Sequence, residues 1–147
     1  MVEIKFKIDI SKKIILYPSR LTNWKGQLEF LDFVKEGFYH YDDLGIDIMF
    51  VDGHTEKQMI PKIKYKGKTL VFAADLIPTA GHIPIPYLMG YDVRPLITME
   101  EKKHFLDLAV KKDYLVFLEH DAHNQVVSLK NTEKGVRLNN SFNFNEI

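Results

Sequence analysis

The sequence predicts one domain of the mixed α/β class, α+β in detail, with more sheet than helix, and three observations predict it. Apolar runs of strand length at 46–51, 70–74 and 114–118 are each closed by polar or turn-forming residues, as strands buried on both faces are. Residues 2–10 alternate instead: Val2, Ile4, Phe6, Ile8 and Ile10 are separated by charged residues, the period of a strand with one buried face. One long helix is expected at 99–112, where Thr98 and Glu101 stand at capping-box spacing and Phe105, Leu108 and Ala109 share a face. At 147 residues the chain suits a single domain, 1–147, with a core of useful size.

In chain order, residues 1–17 read as a hairpin: the alternating strand, a turn at Ser11-Lys12-Lys13, and a second apolar run at 14–17 that Pro18 ends. Trp24, Leu28 and Leu31 fit a helical face, but Gly26 and the Leu28-Glu29-Phe30 alternation favour a strand at 27–33. The run at 46–51 feeds a turn at Asp52-Gly53. Ile63 and Tyr65 pair across Lys66-Gly67-Lys68 with the nearly all-apolar run at 70–74, which is therefore expected to be central. Pro78, Pro84, Pro86 and Pro95 make the segment 76–95 a long shaped loop. Beyond the helix and the run at 114–118, residues 125–130 and 136–138 flank a turn-rich connection. The tail from Asn139, with Phe142 and Phe144, reads as a docked extension.

Composition narrows the function classes. Twenty basic residues balance twenty acidic ones, so no global field recruits nucleic acid or an anionic membrane. There is no cysteine, which removes disulfides, thiolate metal sites and a cysteine nucleophile. The N-terminal alternation is unlike the apolar core of a signal peptide, and no stretch approaches the roughly 20 apolar residues of a membrane span. A cytoplasmic location is the expectation.

His54, Asp75 and His120 each stand just past an apolar run, where a buried strand would deliver them to one edge of a sheet. Neutral imidazole and carboxylate are zinc ligands, so the three are candidates for a metal site. Bland readings stand beside this one. A lone histidine at a strand end is more often a surface or core residue, and Asp75 could cap a turn. Glu119 and Asp121 flank His120 and could orient its ring or be solvated. His82, Tyr87, Tyr91 and Asp92 could line a pocket or simply pack, while His104 and His123 are expected to face solvent.

The residues GHT at 53–55, AADLIPTAGH at 73–82 and FLEHD at 117–121 resemble the metallo-beta-lactamase fold metallo-hydrolases. The resemblance runs from about Gly26 to the C-terminus and is closest between Leu44 and His123. It implies that His54 ligates a first zinc, that Asp75 bridges two zinc ions as the catalytic centre, and that His120 ligates the second. The upstream H-x-H-x-D-H motif of that family has no counterpart; His40-Tyr41-Asp42-Asp43 has one histidine and the wrong spacing. Lys57 stands where many relatives have glycine three residues after the motif histidine, implying a subfamily loop or a relaxed constraint there.

The expected fold is thus half of an αββα sandwich: a C-terminal half at about 26–147, with residues 1–25 as an added N-terminal hairpin segment. The expected function is that of a truncated metal-dependent hydrolase, acting on an ester, lactone, amide or phosphoester through metal-activated water. The alternative is a metal-free structural or interaction module that retains part of the fold. Expected partners are a small-molecule substrate and, because half a sandwich leaves an apolar sheet face open, a second copy or a complementing half-domain. Nucleic acid and membrane are not expected.

Overall fold

A computed structural model describes residues 46–147. The expected hairpin at 2–17, the strand at 27–33, the loop at His40 and the division at residue 25 lie outside the described residues.

The described chain forms a six-stranded sheet in sequence order. Its strands are β1 (Ile46–Val51), β2 (Gln58–Tyr65), β3 (Lys68–Phe72), β4 (Leu115–Phe117), β5 (Val126–Thr132) and β6 (Gly135–Phe142). One long helix, α1 (Pro95–Lys111), lies between β3 and β4. The mixed sheet with its helix is the expected α+β arrangement, as for half of a beta-lactamase-like fold. No helix of the described residues is long and apolar enough to cross a membrane.

Strand direction matters more than strand order. β1 with β2, β2 with β3, β4 with β5 and β5 with β6 are antiparallel pairs, whereas β3 and β4 run parallel, Phe72 opposite Phe117. A parallel pair cannot be joined by a tight turn and needs a long crossover, here the loop after β3 and α1. β1, β3 and β4 therefore all point the same way, and the C-terminal end of each opens on one edge of the sheet.

The central strands are apolar on both faces, which explains their uninterrupted runs. Val71, Val116 and Val127 pack with Phe105, Leu106 and Ala109 of α1 in the main core. Leu70, Leu115 and Val126 form a second cluster with Ile63, Tyr65, Phe117 and Phe142 packed against it. The expected extension from Asn139 is corrected in part, since residues 139–142 belong to β6; beyond it the ring of Phe144 reaches Tyr65 at 5.6 Å and Phe117 at 6.3 Å, so only the last residues dock on that cluster. At the β2–β3 hairpin Lys66 and Gly67 both have positive φ, 47° and 79°, as a type I′ turn requires. β2 begins at Gln58, ahead of the expected Ile63, and carries Pro61 opposite Ile48.

The helix departs from expectation at its start. It begins at Pro95 and ends at Lys111, not at 99–112, and Arg94 caps it without a side-chain bond. Proline suits this position because its φ is already helical and it has no N–H to leave unpaired. The Thr98 amide then lies inside the helix, donating to the Arg94 carbonyl at 3.0 Å, so no free donor remains for a Thr98–Glu101 capping box. Glu101 is used elsewhere.

Candidate metal centre

His54 is placed by the turn after β1. The backbone N–H groups of Asp52 and Gly53 donate to the Glu101 carboxylate of α1 at 2.7 and 2.9 Å. The Gly53 carbonyl accepts from the Arg94 amide at 2.8 Å, and the His54 carbonyl from the Val93 amide at 3.2 Å. The turn is thus pressed on the first turn of the helix. A Cβ at Gly53 would lie 2.3 Å from the Thr98 nitrogen, so no side chain fits there. That contact accounts for the glycine of the GHT motif.

His54 itself is 7% exposed. Its Nδ1 lies 2.7 Å from Asp92 Oδ1, and the Asp92 side chain is buried. A carboxylate oxygen accepts, so Nδ1 donates to Asp92, and in the neutral ring with that tautomer Nε2 carries the lone pair. Nε2 faces Asp75 Oδ2 at 3.5 Å. The ring of Tyr91 stands edge-on to the imidazole at 5.8 Å.

Asp75 follows β3 in a short 3-10 turn, Ala74–Leu76. Ala74 holds a left-handed φ of 45°, strained for any residue with a Cβ, and burial of Ala74 and Leu76 holds the turn in place. The Asp75 carboxylate receives Gln58 Nε2 on Oδ2 at 3.3 Å and faces His120 Nε2 with Oδ1 at 3.2 Å. His54 and His120 therefore approach opposite oxygens of one carboxylate.

The His120 backbone amide donates to the Pro78 carbonyl at 3.1 Å, tying the end of β4 to the loop after β3. Asp121 continues this tie by accepting from the amides of Ala80, His123 and Asn124 at 2.8, 2.9 and 2.9 Å. Partial burial pushes the Asp121 carboxyl up, but these donors outweigh it and hold it below the usual carboxylate range. Asp121 thus fixes the backbone around His120 and makes no bond to its ring. Glu119 is half-buried; that burial raises its carboxyl above the ordinary range, with His120 opposing and Asp75 adding to the rise. Metal-capable atoms of Asp75, Glu119 and His120 lie within 4.8 Å of one another.

A buried cation shapes the loop that carries Asp92. Lys102, 0% exposed on α1, donates its ammonium to the carbonyls of His82, Pro84 and Tyr87 at 3.1, 3.1 and 2.7 Å. Burial pushes its pKa down to about 8, with Asp92 opposing. His82 is turned to Thr79, Nδ1 to Oγ1 2.8 Å, and its pKa is lowered by burial and then by Lys102, with Asp92 opposing. His104 and His123 are exposed, as expected.

Sequence reasoning names His54, Asp75 and His120, and the fold brings all three together. The bonds of Glu101 to the turn after β1, the burial of Lys102 and the partnership of Asp92 with His54 are not foreseen there. The detectable signal was Lys102, a cation in step with Phe105, Leu106 and Ala109 on the buried face of the helix. Lys57 has a left-handed φ of 55° and donates its amide to Asp52 Oδ1 at 2.9 Å, closing the turn that carries His54.

The donor set fits a cation. Two imidazole Nε2 atoms and two carboxylate oxygens face inward without a cysteine, a composition suited to zinc. The spacings of 3.2 and 3.5 Å exceed those of tight charge-assisted bonds and match the roughly 3.3 Å between neighbouring ligands of one tetrahedral zinc.

No protein-family model and no curated protein matches the chain. Solved structures do. A probable metal-dependent hydrolase from Staphylococcus aureus is similar at 21% identity and a TM-score of 0.56, over 67% of this chain and 37% of that one. AidC, a dizinc quorum-quenching lactonase, is similar at 21% identity and a TM-score of 0.60, over 73% of this chain and 37% of that one. AbOPH, a hydrolase in the beta lactamase superfamily, is similar at 16% identity and a TM-score of 0.59, over 82% of this chain and 47% of that one. The chain spans less than half the length of each. With a mixed sheet, one crossover helix and this partial coverage, the chain has the fold of metal-dependent hydrolases of the beta-lactamase superfamily, over a stretch that fits a C-terminal half.

Proposed function

We propose that the chain carries part of the metal centre of a hydrolase, with His54, Asp75 and His120 as zinc ligands and an ester, lactone, amide or phosphoester as substrate. The observation that carries this reading is the approach of two imidazole Nε2 atoms to opposite oxygens of Asp75, at 3.5 and 3.2 Å. A bound zinc supplies Lewis acidity, polarising an acyl or phosphoryl oxygen and activating water at neutral pH.

The residues of the chain prepare that chemistry. Asp92 holds the His54 proton on Nδ1 and so keeps Nε2 free to bind; such partners strengthen a histidine ligand. The buried turn at Ala74 aims Asp75 between the two imidazoles. Asp121 holds the loop bearing His120 against Ala80. Tyr91, exposed beyond its contact with His54, is placed to meet an apolar part of a substrate.

Elemental analysis after reconstitution with zinc and removal of excess tests the reading. About one zinc per chain or more is expected, lost in Asp75→Ala and in His120→Ala. A protein that keeps its fold and retains no zinc would instead be the metal-free structural or interaction module. A panel of chromogenic esters, lactones and phosphoesters then assigns the substrate class.

A further inference from the structure

The parallel pairing of β3 and β4 sets two strand ends side by side, and each carries an acid. Asp75 lies three residues beyond Phe72, and Glu119 two residues beyond its partner Phe117. Glu119 makes no hydrogen bond or ion pair among the described residues, although it is half-buried and close to Asp75. Two carboxylates brought together repel where, among the described residues, no lysine or arginine pairs with either, and a divalent cation between them removes the repulsion. Independently, Gln58 is 9% exposed and bonds Asp75 Oδ2 through Nε2, while its own Oε1 is buried without a partner. An unsatisfied acceptor at that depth, on a side chain bonded to Asp75, calls for a partner such as an ion or an ordered water.

We propose that Glu119 is itself a metal ligand, forming with Asp75 and His120 a cation position built entirely from the ends of β3 and β4. This rests on the reading of Asp75 and His120 as ligands and adds a residue to it. The ligand atoms lie within 4.8 Å of one another. Ligands of a tetrahedral zinc, bound at about 2.0–2.2 Å, stand roughly 3.3–3.6 Å apart, so side-chain shifts of about 1 Å bring all three onto one ion. Glu119 contributes a second negative charge, making the position attractive to a divalent cation in a chain whose net charge is zero.

The test titrates the full chain with zinc alone against a chromophoric chelator, and with cobalt(II) alone as a spectroscopic probe. Glu119→Gln keeps the shape and removes the charge; it is expected to weaken zinc binding at least about tenfold and to change the cobalt(II) visible spectrum. Glu119→His, a substitute ligand, is expected to recover much of the affinity. Glu133→Gln, on the distant β5–β6 turn, controls for general charge and leaves both readouts unchanged. Wild-type binding with an unaltered Glu119→Gln spectrum and affinity overturns the inference while leaving His54, Asp75 and His120 as ligands. Weakened binding with an unchanged cobalt(II) spectrum also overturns it, since Glu119 would then act only through its charge. Failure of the wild-type chain to bind either metal overturns the underlying reading.

Discussion

Substitution of Gly53 by alanine tests how the site is positioned, and its cost follows from a few distances. The new Cβ would lie 2.3 Å from the Thr98 nitrogen, 2.4 Å from its Oγ1 and 2.5 Å from its Cα. Ordinary contact needs about 3.4 Å or more, so the turn must retreat from α1 by roughly 1 Å. The same retreat stretches the Gly53 amide bond to Glu101 from 2.9 Å and the Arg94 amide bond to the Gly53 carbonyl from 2.8 Å, both beyond bonding range. Overpacking of this kind costs about 1–3 kcal/mol, and losing a charge-assisted bond adds a comparable amount, so a destabilisation of roughly 2–4 kcal/mol is expected. Urea unfolding of Gly53→Ala against wild type measures it. Because His54 rides on the same turn, zinc affinity should fall along with stability. A variant with an unchanged unfolding midpoint and undiminished zinc affinity would refute the claim that Gly53 fixes the turn against the helix.

Lys102→Met should leave the carbonyls of His82, Pro84 and Tyr87 without their donor, costing about 2–4 kcal/mol and exposing that loop to limited proteolysis. The folded-state pKa of Lys102, about 8, lies below its ordinary 10.5, so between these values the unfolded chain binds more protons and stability rises with pH. Wild-type stability relative to Lys102→Met should therefore increase from pH 8 to pH 10.5, as measured by urea unfolding at several pH values; a constant difference would refute the shift. Lys57→Gly should stabilise the protein by about 0.5 kcal/mol. Relief of the left-handed strain at φ 55° is partly offset by the greater freedom of glycine in the unfolded chain and by loss of the exposed Lys57–Asp52 pair. A drop in the unfolding midpoint would contradict it.

Local signals made much of the described fold legible. The run at 46–51 is a strand over those same residues, because Asp52-Gly53 ends the apolar stretch and supplies the turn. Lys66-Gly67 set the hairpin register by turn chemistry alone. The start of α1 differs from expectation because two start signals compete: Thr98 with Glu101 has capping-box spacing, but Pro95 begins the helix earlier and frees Glu101 for another task. Asp92 lies 38 residues from His54, and Glu101 49 residues from Asp52, so no local spacing rule could reveal either bond.

By itself the sequence determined roughly where most of the described strands lie, though not their ends, and that His54, Asp75 and His120 stand just beyond three of them. Whether they meet was decided by strand direction, which is a tertiary property. Had β4 run antiparallel to β3, His120 would lie at the far end of the sheet from Asp75. The crossover through α1 makes the pair parallel, and the β1–β2–β3 meander turns β1 the same way, so all three ends open on one edge. Tertiary packing also supplied Asp92, Glu101 and Lys102, whose hydrogen bonds hold the β1 turn, the His54 ring and the loop after β3 around that edge.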